Sequence, residues 1–340
     1  MDEVGPPDRR PLSVELLPDA VPLAGPPLVP APAPRTNYWG RAALLFALTF
    51  FTTTTLGGAW HFYTRTDVST DLPPWITWRM IGAVWSDRAV LVPGLQFSLA
   101  ALSILLAHEL GHYFACRRYR LPATPPFFLP VPFTLGTFGA FIRIKAPLKD
   151  KRELFDVGSA GPFAGFVVLL PFLLLGLAWS SPASVSVATS DSGPVTWIYL
   201  PGSGLLWTLV SRAFHGPLPD DTILNLHPFA LAAWLGLFAT MLNLLPFGQL
   251  DGGHILYAAV GRVQHKLARP LWIALLLLSF YSLSFLVWSA ITLIVGTRHP
   301  PVLDETTPLG RSRMWLAVAA LLLFVVCFMP VPMRMEALAQ

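Results

Sequence analysis

The stretch "LLAHELGHYF", Leu105 to Phe114, places His108, Glu109 and His112 at the end of a run, Val92 to Ala107, that carries no charge. Ionisable groups inside an apolar segment are costly and point to function. On a helix, residues four apart share a face, about 40° apart and about 6 Å along the axis. That is the separation two imidazoles need to bind one tetrahedral zinc at about 2.0–2.1 Å. Glu109 follows the first histidine and projects beside such a metal, where a carboxylate can take a proton from an attacking water. Two histidines and a glutamate could instead satisfy one another by hydrogen bonds. Burying three ionisable groups with no metal to offset their desolvation argues against that arrangement.

A catalytic zinc keeps three protein ligands and an open position, so a third ligand has to come from elsewhere. "NLLPFGQLDGGH", Asn243 to His254, also closes an apolar run and offers Asp251 as an oxygen ligand. Pro246 breaks the helix, and Gly252 and Gly253 free the backbone to turn the carboxylate toward a metal. Read alone, "LDGG" is an ordinary turn. Paired with the histidines at the same depth, it becomes a ligand position.

The elements that carry these residues are apolar runs long enough to cross about 30 Å of hydrocarbon. They are read at Ala42–Phe62, Val92–Cys116, Val157–Trp179, Leu226–Pro246, Pro270–Gly296 and Met314–Val331. The fold expected is an all-α polytopic membrane protein of about six transmembrane helices. Gly136–Lys145 alternates in part, through Phe138, Ala140, Ile142 and Ile144, as a small re-entrant strand or hairpin near the site would. Arg117, Arg118, Arg120, Arg143, Lys145, Lys149, Lys151 and Arg152 stand against Asp150 alone, which puts that connection on the cytoplasmic side. Ser180–Asn225, poor in basic residues, faces out, and Arg262, Lys266 and Arg269 face in again. One span at Pro270–Gly296 would strand Arg298, Arg311 and Arg313 outside. The polar break "SFYSLSF" (279–285) offers a returning hairpin instead.

Composition agrees. The 340 residues are 54% hydrophobic and 12% charged, well below the quarter usual for soluble domains. The net charge of +4 lies in connections rather than on one face, which excludes a nucleic-acid partner. Residues 1–36 form a proline-rich tail expected to be disordered and cytoplasmic, ahead of a 37–340 membrane domain. Cys116 and Cys327 lie in or at the end of apolar stretches, which argues against a disulfide framework, and Cys116 is expected as a small buried residue. Arginine outnumbers lysine, a hint of a bacterial cell membrane as the location.

HELGH on a membrane helix, followed far downstream by N-x-x-P-x-x-x-L-D-G, resembles the site-2 protease family of intramembrane zinc metalloproteases. "GTFGAFIRIKAP" (136–147), "DVGSAGPFAGFVV" (156–168) and "RHPPVLDETTPLG" (298–310) extend the likeness over most of the chain from Tyr38. The resemblance implies one catalytic Zn2+ on His108, His112 and Asp251, with Glu109 as the base. It also implies that Asn243 holds the substrate carbonyl or oxyanion, and that a re-entrant β-loop lies beside the site. The implied substrate is a single-span or other membrane protein, cleaved near the cytoplasmic face in regulated intramembrane proteolysis. The family type expected is the bare membrane core, without a PDZ or CBS domain. His254 is a candidate for supporting the metal site, and Gly158–Gly161–Gly165 reads as a stripe for close helix packing. A zinc transporter would need polar groups along a whole path through the bilayer, and a silent scaffold would not need Glu109.

Overall fold

Asp87 and Asp150 set where the two central helices begin. Asp87 accepts from the Ala89 N–H at 2.8 Å, and Asp150 from the N–H groups of Arg152 and Glu153, each at 2.9 Å. Such caps satisfy amides that an apolar helix start cannot satisfy for itself. The structure, a computed structural model, describes residues 38–63, 75–184, 195–219 and 222–339. The expected disordered tail lies outside the described residues.

The chain opens with α1 (Tyr38–Tyr63), a short α2 (Trp78–Ser86) and α3 (Arg88–Arg118). Strands β1 (Phe127–Pro130) and β2 (Thr137–Phe141) follow, and then α4 (Lys151–Ala178). Tyr38–Phe62, Arg88–Arg118 and Lys151–Ala178 are long and apolar enough to cross a membrane. The second half is built from shorter pieces. β3 (Ser181–Ser184), β4 (Val195–Pro201), α5 (Leu205–His215) and β5 (Thr222–Asn225) lead into α6 (Pro228–Asn243). Then come α7 (Asp251–Val260), α8 (Val263–Leu277), α9 (Leu283–Val295), α10 (Arg311–Cys327) and β6 (Met333–Ala339).

Among the described residues, three helices have the length and composition to cross alone, against the six spans expected. α6 has 16 residues and α10 has 17, about 24–26 Å of helix each. The run 270–296 is not one helix. A 3-10 turn at Leu278–Phe280 separates α8 from α9 at the polar break. Gln264, near the start of α8, donates to the Thr297 carbonyl at 3.0 Å, just past α9. Trp272 of α8 donates to the Ser289 carbonyl of α9 at 2.9 Å. The pair leaves and returns at one place, so Arg298, Arg311 and Arg313 need not be stranded opposite Lys266.

The fold is mostly helical, as expected, with more strand than the one hairpin. β3 pairs antiparallel with β5, and β4 with β6, beside the expected β1–β2 hairpin. Strands this short, joined across long sequence separations, leave no local periodicity to read. The hairpin is held by α1. Thr52 Oγ1 donates to the Gly136 carbonyl at 2.7 Å, where the backbone turns with φ +87°. A Cβ there would press into the backbone of Thr52 and Thr53, so only glycine fits the turn against the helix.

The core lies between α3, α4 and α6, where Phe97, Leu154, Leu169, Leu173, Ala230 and Ala233 are fully buried. Small residues on α6 let the three helices approach closely, and the catalytic candidates lie at the α6 C-terminal end of that contact.

Candidate metal centre

α3 presents His108 and His112 from one face, and both are buried. Their Nε2 atoms lie 3.1 Å apart. Asp251, in the first turn of α7, places Oδ2 3.1 Å from His108 Nε2 and Oδ1 3.3 Å from His112 Nε2. Ligand atoms on a tetrahedral zinc with bonds of about 2.0–2.1 Å are separated by about 3.3–3.4 Å. The observed separations are of that size, although each histidine faces a different Asp251 oxygen; one ligand atom from each residue lies within 4.8 Å of the others, and the residues fit the ion. Among the described residues these three form the one group of His, Cys, Asp or Glu that could hold a metal.

Hydrogen bonding fixes which nitrogen is offered. His112 Nδ1 lies 2.7 Å from the Val157 carbonyl of α4. A carbonyl only accepts, so Nδ1 carries the proton and the neutral ring turns its Nε2 lone pair to the shared centre. The carboxylate oxygens of Asp251 are acceptors too. Acceptors converging on one point are resolved by a cation.

α4 makes room for this cluster through its glycines. A Cβ at Gly161 would overlap the His112 ring, and one at Gly165 would sit 3.1 Å from His108 Cβ. One at Gly158 would meet His254 Cβ at 2.6 Å. The stripe read as general helix packing is thus a mould for three imidazoles. Gly252 and Gly253 also differ from the sequence reading. They lie inside α7, where a Cβ would strike carbonyls of the 244–248 turn, so they allow close approach rather than a swing of the backbone.

Glu109 is buried beside the triad, and the backbone amide of Ile142, just past β2, faces its carboxylate. A cavity of about 110 Å³ opens there, with Glu109, His108, Asn243 and Thr240 as its polar lining and Gly139 and Ala140 of the hairpin on one wall. Asn243 ends α6 and brings its Nδ2 within 3.2 Å of His108 Nε2. All five candidate residues are therefore brought together. Cys116 is fully buried and is a free thiol, as expected of a small core residue.

Sequence reasoning missed the groups that hold the ligands. Asp156, one residue before Val157, takes a bidentate pair from Arg313 of α10 at 2.7 and 2.8 Å and a hydrogen bond from Tyr119 at 2.5 Å. This clamp ties α3, α4 and α10 next to the carbonyl that orients His112. His254 was noticed, but its partner was not: His254 Nδ1 lies 2.6 Å from His299 Nε2. Both Arg313 and His299 follow the α8–α9 hairpin, where no spacing rule links them to HELGH.

The Peptidase family M50 model matches residues 96–286, from α3 through the start of α9. The chain is 34% identical over 255 residues to the "probable zinc metalloprotease EGY1, chloroplastic" of Arabidopsis thaliana, covering 72% of this chain and 45% of that one. It is 36% identical over 245 residues to the protein of that name from Oryza sativa subsp. japonica, covering 69% and 40%. To the "probable zinc metalloprotease EGY2, chloroplastic" of Arabidopsis thaliana it is 30% identical over 252 residues, covering 74% and 44%. The chain spans less than half the length of each of these relatives. With the histidine–aspartate centre inside apolar helices, these matches place the chain in peptidase family M50, the site-2 protease family of membrane zinc metalloproteases.

Proposed function

We propose that this chain is an intramembrane zinc endopeptidase that hydrolyses a peptide bond in or near a transmembrane segment of a membrane-protein substrate. The observation that carries this is the convergence of His108, His112 and Asp251 next to a cavity lined by His108, Glu109 and Asn243, with α3 and α4 long and apolar enough to cross a membrane. Zinc held by those three residues supplies a Lewis acid for the scissile carbonyl and lowers the pKa of the attacking water. Glu109 accepts that water's proton and passes it to the leaving amine. Asn243, at the cavity edge, donates its amide to the substrate oxygen as charge develops there.

The substrate is a single-span or other membrane protein, cut close to the cytoplasmic face in the manner of regulated proteolysis. The basic connection around Arg117–Arg152 supports that side for the active-site end. A helical substrate has its carbonyls occupied and must unwind locally. β2 supports a route for this. Among the described residues it pairs with β1 on one edge only, the register slips between Phe128 and Pro130, and Gly139 and Ala140 line the cavity. An unwound segment can add to such an edge by backbone pairing.

The test is co-expression with a panel of single-span reporter proteins, comparing wild type with Glu109→Gln and mapping any new terminus. The expected result is a cut within or beside a reporter's span that falls by about 10²–10⁴-fold in the variant while zinc stays bound. Cleavage that survives Glu109→Gln overturns the assignment of the base.

A further inference from the structure

The His254–His299 pair has no role in the chemistry above, yet both rings are held from several sides. His299 is buried; its Nδ1 lies 2.5 Å from the Pro300 carbonyl, and its backbone N–H donates to Gln264 Oε1 at 3.3 Å. Its own carbonyl accepts from His265 Nε2 at 2.9 Å. The Tyr257 ring stacks on it, with centroids 4.6 Å apart and 25° between planes. Tyr257 in turn donates to Glu305 at 2.9 Å, and Glu305 is also bound by Arg262. The loop after α9 is therefore tied to α7 and α8 around one imidazole.

The proton positions follow from the acceptor at the end of the line. The Pro300 carbonyl can only accept, so His299 Nδ1 carries a proton and the neutral ring leaves Nε2 bare. At 2.6 Å, His254 Nδ1 must then donate to it. Burial, with His299 beside it, lowers His254 to about 4, which keeps its ring neutral at ordinary pH. His254 sits three residues after Asp251 on α7, with its Cβ against Gly158 of α4, one residue past the carbonyl that orients His112.

We propose that His254 and His299 are positioning residues: their directed hydrogen bond ties the first turn of α7 to the loop after α9 and so holds Asp251 at the metal centre. The inference rests on Asp251 being a zinc ligand. Neither ring touches the reacting atoms. The pair acts through the carboxylate and through the packing of α7 on α4, as partners of metal ligands commonly do.

The experiment measures zinc affinity of the full-length chain in detergent, by competition with a chromogenic chelator and with zinc alone as probe. His254→Asn keeps an N–H donor where Nδ1 stands, whereas His254→Gln moves the donor to the far position and His299→Leu removes the acceptor. Binding within about threefold of wild type is expected for His254→Asn, and binding about 10–100-fold weaker for the other two. If His254→Gln and His299→Leu bind zinc as wild type does, whatever their melting temperatures, the positioning role is wrong. Where His299→Leu does not fold, the Asn and Gln pair decides. Asp251→Asn separates the two readings. Unchanged zinc affinity in that variant removes the ligand assignment and this inference with it, while a loss there beside intact dyad variants removes the dyad alone.

Discussion

Two close pairs of histidines lie in this protein, and they differ in what their nitrogens face. His108 and His112 bring Nε2 to Nε2 at 3.1 Å, and both rings turn toward Asp251. His254 and His299 meet Nδ1 to Nε2 at 2.6 Å, and the line ends on a carbonyl. The first arrangement converges on a point with acceptors and calls for a cation. The second runs donor to acceptor and is complete without one. Distance between imidazoles does not separate a metal site from a hydrogen-bonded pair; the direction of the lone pairs does.

The largest expected difference between the pairs comes from deletion. His112→Ala should weaken zinc binding by more than about 100-fold and abolish cleavage, since even disturbing the partners of a ligand costs 10–100-fold. Chelation of the wild type should do the same to cleavage, and added zinc should restore it. Metal content and reporter cleavage measure both. If His112→Ala retained zinc, the convergent pair would be no metal site at all.

The mould on α4 offers a graded version. Gly161→Ala drives a methyl into the His112 ring and is expected to lower zinc affinity by about 10–100-fold. Gly158→Ala presses on His254 instead, with the smaller loss expected of a displaced positioning residue. Equal effects at both glycines would mean that the stripe serves helix packing in general.

Asp156→Asn tests the clamp beside Val157. Its charged hydrogen bonds with Arg313 and Tyr119 are about three-quarters buried, so a loss of about 1–2 kcal/mol is expected in thermal or denaturant unfolding. Zinc affinity should fall far less than with Gly161→Ala. The smallest effect concerns the outer end of the His299 network. The hydrogen bonds from Arg262 and Tyr257 hold the Glu305 carboxyl below the ordinary glutamate value. A depressed carboxylate contributes stability above its unfolded pKa and loses it as pH falls through the folded one. Wild type should therefore melt above Glu305→Gln near pH 7, and the gap should close as pH drops below about 4. A gap that widens on acidification would contradict the pairing.

Much of the site was legible because its chemistry is local. His108, Glu109 and His112 lie within five residues on one helix, so helical spacing alone aligns them. Asp251 was reachable because it closes a second apolar run at the same depth. The α8–α9 break was visible as polar residues in "SFYSLSF", although only Gln264 bridging to Thr297 shows that the chain returns to its starting place. β4 and β6 were invisible, since their pairing joins strands from opposite ends of the second half of the chain.

The sequence by itself determined the donor types, the base beside them and the apolar setting, because residue identity and helix period are enough for each. Only the tertiary structure decided which nitrogen of His112 faces the centre, because that depends on the Val157 carbonyl of another helix. It likewise decided that three glycines mirror three histidines and that His299 completes His254, since both are contacts between elements far apart in the chain.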